Sequence, residues 1–275
     1  MREKKGWLLY TKEDSARNRR AIQLFCESGK ASGIPLTLCT DFVPSQDVKQ
    51  LPDFVINRNR DWRVSEWLER RGIPVFNSAK VTRLCNDKAA TLSWAHSQGI
   101  HVLPWKRGEK EILSGKLSFP LVAKACAGHG GTEVFWIESK EQLCRAKAVF
   151  RTEDWILQQA ASEPGKDLRI YMIGNRMVKA MLRSSAEDFR SNYCLGGTAR
   201  SFEPPREVKQ MAKQIAESLQ ADYIGIDFLF HKGKMVLNEI EDAVGARMIY
   251  EHTQIDIIRE YMEYIQIKLK KRDCI

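Results

Sequence analysis

The sequence lacks the features that mark several common classes of protein. No apolar run approaches the ~18–20 residues of a membrane span. The stretch Trp7-Leu-Leu-Tyr10, behind a basic start, is too short for a signal peptide. A cytoplasmic protein without membrane contact is expected. Histidine is scarce, five residues in 275, and those at 96, 101, 231 and 252 form no spaced cluster. The seven cysteines, at 26, 39, 85, 126, 144, 194 and 274, are odd in number and include no C-x-x-C pair. None has a histidine at zinc-ligand spacing, so neither a disulfide framework nor a zinc site is implied. No Ser/His/Asp or Cys/His constellation marks a hydrolase. No G-x-G-x-x-G follows the first strand, which argues against a Rossmann dinucleotide site. Nucleic-acid signatures, internal repeats and low-complexity linkers are absent as well.

What remains is a globular composition, 43% hydrophobic and 29% charged, long enough for one large or two modest domains. Lys and Arg number 44 against 35 Asp and Glu, a net charge of +9. The basic residues gather at Arg58, Arg60, Arg63, Arg70 and Arg71 and again at Lys268, Lys270, Lys271 and Arg272. Such runs read as a solvated face or as a surface for an anionic partner.

Apolar runs at Trp7–Tyr10, Leu36–Cys39, Phe54–Ile56 and Pro74–Phe76 alternate with helical patterns over 14–31 and 62–71. Strand and helix in alternation predict a small α/β domain with a parallel sheet. Asn86-Asp87 then caps a helix running to about Gln98, with Gly99 as its stop. A strand through Leu121–Cys126 enters the glycine cluster 128–131 and leaves at Val134–Ile137. Strand, Gly-rich turn and strand make a hairpin, unlike a P-loop, which needs a helix after the turn. A helix over 140–150, a strand over 155–159, a hairpin about Gly174-Asn175, a helix over 204–219, strands over 224–230 and 234–241 and a helix over 254–271 complete the expectation.

Three sets of charges break the apolar pattern. Lys124 lies inside Leu121–Cys126 and Asp227 inside Ile224–Phe230. A buried charge costs several kcal/mol unless paired or coordinated, so Lys124 either turns to solvent at a sheet edge or meets a phosphate. Asp227 calls for a lysine or arginine, or for a divalent metal. Glu239 and Glu241, two apart on one strand, leave the same face. They form a solvated acidic end or, with Asp227, an all-oxygen site suited to Mg²⁺ beside nucleotide phosphates.

The order Asn86-Asp-Lys88, Leu121-Val-Ala-Lys124 with its Gly-rich loop, Asp167-Leu-Arg169, Phe189-Arg-Ser-Asn192, Ile226-Asp-Phe228 and Asn238-Glu-Ile-Glu241 resembles the ATP-grasp superfamily, in particular its RimK-like glutamate-ligase and amino-group-carrier branch. The resemblance covers nearly the whole chain, including Asn57–Arg60 and Arg71–Ser78. It implies an α/β N-terminal domain, 1–85, followed by an ATP-grasp fold whose two α+β subdomains, 86–157 and 158–275, clasp ATP. Lys88 and Lys124 would hold phosphates, and Gly128, His129, Gly130 and Gly131 would form the lid over them. His129 reads equally as an exposed loop residue.

By the same resemblance Gln158, Gln159 and Ala160 would lie along the adenine with Asp167 nearby. Arg190 and Asn192 would reach the nucleotide and the transferred phosphate. Asp227, Glu239 and Glu241 would bind Mg²⁺, with Mn²⁺ as the alternative. Arg190 and Lys124 are the residues expected to act in catalysis. Arg183, Gly196 and Gly197 lie where similar enzymes face substrate, and Arg58 and Arg60 are a weaker pair for that purpose.

The implied activity is an ATP-dependent carboxylate–amine ligase working through an acylphosphate on an acidic amino acid or acidic peptide. A ligase for other amino acids and a nucleotide-binding regulator without turnover are the alternatives. Similar enzymes are often homo-oligomers. Two departures stand out: Glu241 occupies a position that is usually Asn in the family, and the hinge has Gln159-Ala160 where Glu and an aromatic are usual.

Overall fold

Leu8, Leu9 and Tyr10 are buried from both sides, as a strand inside a parallel α/β layer requires. The computed structural model describes residues 3–46, 48, 50–108, 117–128, 133–150, 154–191 and 196–274. Its N-terminal part comprises β1 (Gly6–Tyr10), α1 (Lys12–Arg17), α2 (Arg19–Ala31), β2 (Leu36–Thr40), β3 (Phe54–Asn57), α3 (Trp62–Glu69) and β4 (Val75–Phe76). The four strands pair in parallel in the order β2-β1-β3-β4. The single helix expected over 14–31 is two helices. Asn18, at φ −110°, separates them, and its amide donates to the Asp14 carbonyl at 2.7 Å.

The chain continues through α4 (Ala79–Cys85), α5 (Lys88–Ser97), β5 (Trp105–Arg107), β6 (Leu121–Ala125), β7 (Val134–Ile137), α6 (Lys140–Val149) and β8 (Trp155–Gln159). The Asp87 carboxylate accepts from Ala90 N at 3.0 Å and caps α5, while Gly99 at φ +70° turns the chain after it. Strands β5-β8-β6-β7 form an antiparallel sheet, with β6 and β7 as the Gly-rich hairpin. Strand β8 runs through 157, so the expected subdomain limit falls inside a paired strand. One face of this sheet, with Leu121, Ala123 and Leu157, packs on Leu143 and Ala146 of α6. Period two then sends Val122, Lys124 and Gln158 to the opposite face.

The last part contains β9 (Lys166–Ile173), β10 (Arg176–Ser184), β11 (Thr198–Ser201), α7 (Arg206–Leu219), β12 (Tyr223–His231), β13 (Lys234–Glu241), α8 (Arg247–His252) and α9 (Ile257–Asp273). Its antiparallel sheet has the order β11-β10-β9-β12-β13. Val208, Ala212, Ile215, Ala216 and Leu219 make one stripe on α7, and Leu168, Ile170, Ile224, Ile226 and Phe228 on the sheet pack with it. The alternate residues Asp167, Arg169 and Asp227 are therefore forced to the other face. Beyond them that face turns apolar, where Tyr171, Met181 and Tyr223 join Leu8, Phe25 and Tyr261 of α9 in one core. Asn77 ties the N-terminal part to this sheet. Its Oδ1 accepts from Asp222 N and Tyr223 N at 2.6 and 3.1 Å, and its Nδ2 donates to the carbonyls of Tyr223 and Asp242 at 2.7 and 3.2 Å.

Candidate active site

The middle and C-terminal sheets present their charged faces to one cleft of about 350 Å³. On one wall, Lys124 is only 8% exposed, and its Nζ donates to Gln158 Oε1 and Asn238 Oδ1 at 2.7 Å each. Burial pushes its pKa down to about 8, against the pull of Glu239 and with Lys88 reinforcing the shift. Lys88, at the first turn of α5, donates to the Gly128 carbonyl. Both lysines read as phosphate ligands thus face the same cleft. Gln158 is buried, and its Nε2 has no hydrogen-bond partner among the described residues.

The opposite wall carries the acids. Asp227, Glu239 and Glu241 each bring a carboxylate oxygen within 4.8 Å of the others. Asp227 pairs with Glu239 across β12 and β13, but the register slips by one residue just after it, leaving Asn238 as a bulge. A bulge re-aims side chains, and here it lets consecutive residues serve the cleft: Asn238 accepts from Lys124 and Glu239 joins the carboxylates.

Asp227 is fully buried and answers to two arginines. Arg169 donates from Nε and Nη2 to its two oxygens at 2.7 and 2.6 Å, and Arg183 Nη2 adds a bond at 2.6 Å. Burial alone would raise this carboxyl; the two guanidiniums outweigh it and hold the pKa down to about 2. Arg169 Nη2 also reaches Glu241 Oε1 at 2.6 Å. Glu239 has no hydrogen-bond or ion-pair partner among the described residues. Burial pushes its pKa up; Lys88 opposes the shift, and Asp227 and Glu241 add to it. Lysine or arginine and a metal stood as alternatives for Asp227. The arginines are present, and the acidic cluster surrounds the same carboxylate.

Several expected site residues take other positions. Arg183, read as a substrate contact, is 3% exposed and forks onto Asp167, with Nε to Oδ1 at 2.6 Å and Nη2 to Oδ2, as well as reaching Asp227. A guanidinium committed to two internal carboxylates has no fork left for substrate. Arg58 is also committed, with Nη2 donating to the carbonyls of Ala243 and Val244 at 2.9 and 3.0 Å, so it joins the N-terminal part to the chain after β13. Arg60, at φ +64°, stands on the cleft wall and pairs with Asp14 at 2.8 Å. Gly196 and Gly197 precede β11 and do not line the cleft. Ala160 is buried behind Gln158 and Gln159, its N–H donating to the Pro120 carbonyl at 3.2 Å.

Arg190 lines the cleft, and its Nε and Nη2 bond Asp188 at 3.0 and 2.6 Å. Asp167 lines it too, behind the fork of Arg183. His129, Gly130, Gly131 and Asn192 lie outside the described residues. Arg169 and Asn238 belong to the motifs Asp167-Leu-Arg169 and Asn238-Glu-Ile-Glu241, but the motifs alone assign them no role. The signal for Arg169 was its strand face, two residues from Asp167 and opposite an aspartate one strand away.

Two sheets that face each other across a cleft with lysines on one wall and carboxylates on the other define an ATP-grasp architecture. Residues 99–265 match the RimK-like ATP-grasp domain. The chain belongs to that family and is an ATP-grasp ligase. It is 28% identical over 223 residues to a probable alpha-L-glutamate ligase of Haemophilus ducreyi, covering 76% of this chain and 71% of that one. It is 26% identical over 256 residues to an uncharacterized Mycoplasma pneumoniae protein, the MG011 homolog, covering 90% and 87%. The D-alanine–D-alanine ligase from Bacillus anthracis superposes with a TM-score of 0.75 at 16% identity, covering 98% and 99% of the two chains. In its complex with ATP the TM-score is 0.70 at 14% identity, covering 99% and 100%. At such identities the likeness shows the fold. No helix among the described residues is long and apolar enough to cross a membrane.

Proposed function

We propose that the protein is an ATP-dependent carboxylate–amine ligase that makes an amide or peptide bond through an acylphosphate, with an acidic amino acid or acidic peptide as substrate. One observation carries this reading: Lys88, Lys124, Glu239 and Glu241 line a single cleft, and the buried Asp227 brings a carboxylate oxygen within 4.8 Å of the two glutamates. The three carboxylates are hard oxygen donors at a spacing suited to Mg²⁺, and Mn²⁺ accepts the same donors. Glu239, unpartnered among the described residues, is the ligand most ready for a cation. When bound, Mg²⁺-ATP supplies the phosphoryl group that activates the substrate carboxylate.

The chain's own residues then have separable tasks. Lys88 and Lys124 neutralise phosphate charge, which phosphoryl transfer chiefly demands. Gln158, with its unpartnered buried Nε2, offers a donor to the nucleotide, and the 158–160 segment runs along the adenine. Arg190 faces the transferred phosphoryl group from the opposite wall. Arg169 and Arg183 act behind the metal ligands, fixing the rotamer of Asp227 so that the acceptor site left on Oδ1 serves the cation.

The test is ADP release from Mg²⁺-ATP in the presence of pooled amino acids and acidic dipeptides, with Glu239→Gln as the control. Release that requires the pool and disappears in the variant is expected. Nucleotide binding with no pool-dependent release favours a regulator, and absence of nucleotide binding overturns the reading.

A further inference from the structure

Leu237 and Ile240 stand three apart on β13, and regular alternation sends residues at that spacing to opposite faces. Both nevertheless pack in the core beneath α7, with Val208 and Ala212. The register shift accounts for this: Asp227 lies opposite Glu239 and Phe228 opposite Leu237, so Asn238 has no counterpart on β12. In an unbroken ladder Asn238 would face that core and Leu237 would face the cleft. With the bulge, Asn238 and Glu239 both line the cleft. A polar side chain thus stands where alternation provides none.

That side chain meets Lys124 from the opposite wall, its Oδ1 accepting from Nζ at 2.7 Å. The bond joins β13 of the C-terminal sheet to β6 of the middle sheet, between residues 114 apart in the chain. An ammonium has three N–H donors and no acceptor. Gln158 Oε1, from the strand beside β6, takes a second donor at 2.7 Å. Among the described residues no third acceptor bonds Nζ, and Lys124 lines the cleft. Both acceptors are neutral amides. They orient the ammonium without cancelling its charge, as a carboxylate at 238 would. An apolar residue there would leave a buried N–H unpaired.

We infer that Asn238 is a positioning residue for phosphate binding, fixing Lys124 so that its remaining N–H is presented to the nucleotide phosphates. Asn238 acts through the lysine and needs no contact of its own with nucleotide or cation. The inference rests on the reading of Lys124 as a phosphate ligand and goes beyond it. It assigns the orientation of that lysine to the opposite subdomain, so phosphate recognition depends on how the two walls stand to each other.

The test is the affinity of the full chain for ATP, ADP and adenosine at fixed Mg²⁺, by calorimetry, with ligand-observed NMR for the weaker adenosine. Lys124→Met should weaken ATP and ADP about tenfold or more and leave adenosine unchanged, as loss of a charged partner predicts. Asn238→Leu and Asn238→Ala should each weaken ATP and ADP by about five- to tenfold, again with adenosine unchanged. Unchanged adenosine binding also reports that the cleft is folded. In the double variant Lys124→Met with Asn238→Leu, the second substitution should add less than about twofold, since no ammonium is left to position. Asn238→Thr, which returns an oxygen acceptor to the bulge, should recover part of the loss. If the leucine variant does not fold, the alanine and threonine variants carry the same comparison.

Equal losses for adenosine and ATP would make Asn238 a structural residue and overturn the inference. So would a full loss from Asn238→Leu in the Lys124→Met background, or wild-type ATP affinity in the Asn238 variants while Lys124→Met is impaired. Wild-type ATP affinity in Lys124→Met would instead overturn the phosphate reading of the lysine, and the role of Asn238 with it.

Discussion

Arg169 holds both oxygens of Asp227, through Nε at 2.7 Å and Nη2 at 2.6 Å, from the neighbouring strand position across β9 and β12. With Arg183 on the same carboxylate and Asp167 behind Arg183, a buried chain of alternating charge underlies the acidic wall. Breaking a buried pair on one side leaves an uncompensated charge, which costs ~3–5 kcal/mol. Arg169→Gln should therefore lower unfolding stability by about that amount in urea titration. The double variant Arg169→Gln with Asp227→Asn should recover a large part of it, because no buried charge is then left alone. Additive losses in the pair would refute the coupling.

Asn77 makes four bonds to the backbone around the start of β12 and the end of β13, and it is 3% exposed. Asn77→Ala leaves buried N–H and C=O groups without partners, at about 1–3 kcal/mol for each group that water cannot reach. A loss of roughly 3 kcal/mol is expected. Tyr223 opens β12, and Asp222 and Asp242 flank the two strands that carry the acidic cluster, so metal-dependent nucleotide affinity should fall together with stability. Unchanged stability would mean that water replaces the amide.

Much of this arrangement was legible in the sequence, and for a physical reason. Lys124 and Asp227 interrupt apolar strands, Glu239 and Glu241 share a strand face, and each lies where period two puts it once one face is known to pack on a helix. What stayed hidden depends on contacts between distant segments. Whether Asp227 meets a cation or a metal is decided by the register of β9 against β12, which no local pattern reveals. Arg183 reads as a substrate contact because nothing near it in sequence announces Asp167, sixteen residues earlier, as its partner. Asn238 enters the cleft through a bulge, and a bulge shifts alternation without leaving a residue signature. Asn18 breaks a helix whose apolar spacing continues across it. The short helices α4 and α8 have too few turns to show a periodicity.

Glu239 is the one carboxylate of the three without a partner among the described residues, so its removal tests the cation site with little structural damage. Glu239→Gln should weaken Mg²⁺-dependent nucleotide binding at least about tenfold, while binding measured in the presence of a chelator changes little. Arg169 and Asp227 remain intact in this variant, and thermal stability should match the wild type. An equal loss with and without Mg²⁺ would show that Glu239 acts on the nucleotide rather than through a metal.

Lys124 supplies the pH dependence. Its Nζ lies between two neutral acceptors, Gln158 and Asn238, and burial lowers its pKa from the ordinary 10.5 to about 8. Below that value the free protein carries an ammonium, which phosphates bind; above it the amine is neutral and the attraction is lost. Nucleotide affinity should therefore be level up to about pH 7 and fall as pH rises through 8. Binding at pH 8.5 should take up protons, since bound phosphate favours the charged form. Calorimetry in two buffers of different ionisation enthalpy reads that uptake directly. Lys124→Arg stays charged across this range, so it should bind without proton uptake and with a flat profile, even if its shape lowers affinity overall. The same fall through pH 8 in the arginine variant would assign the titration to another group.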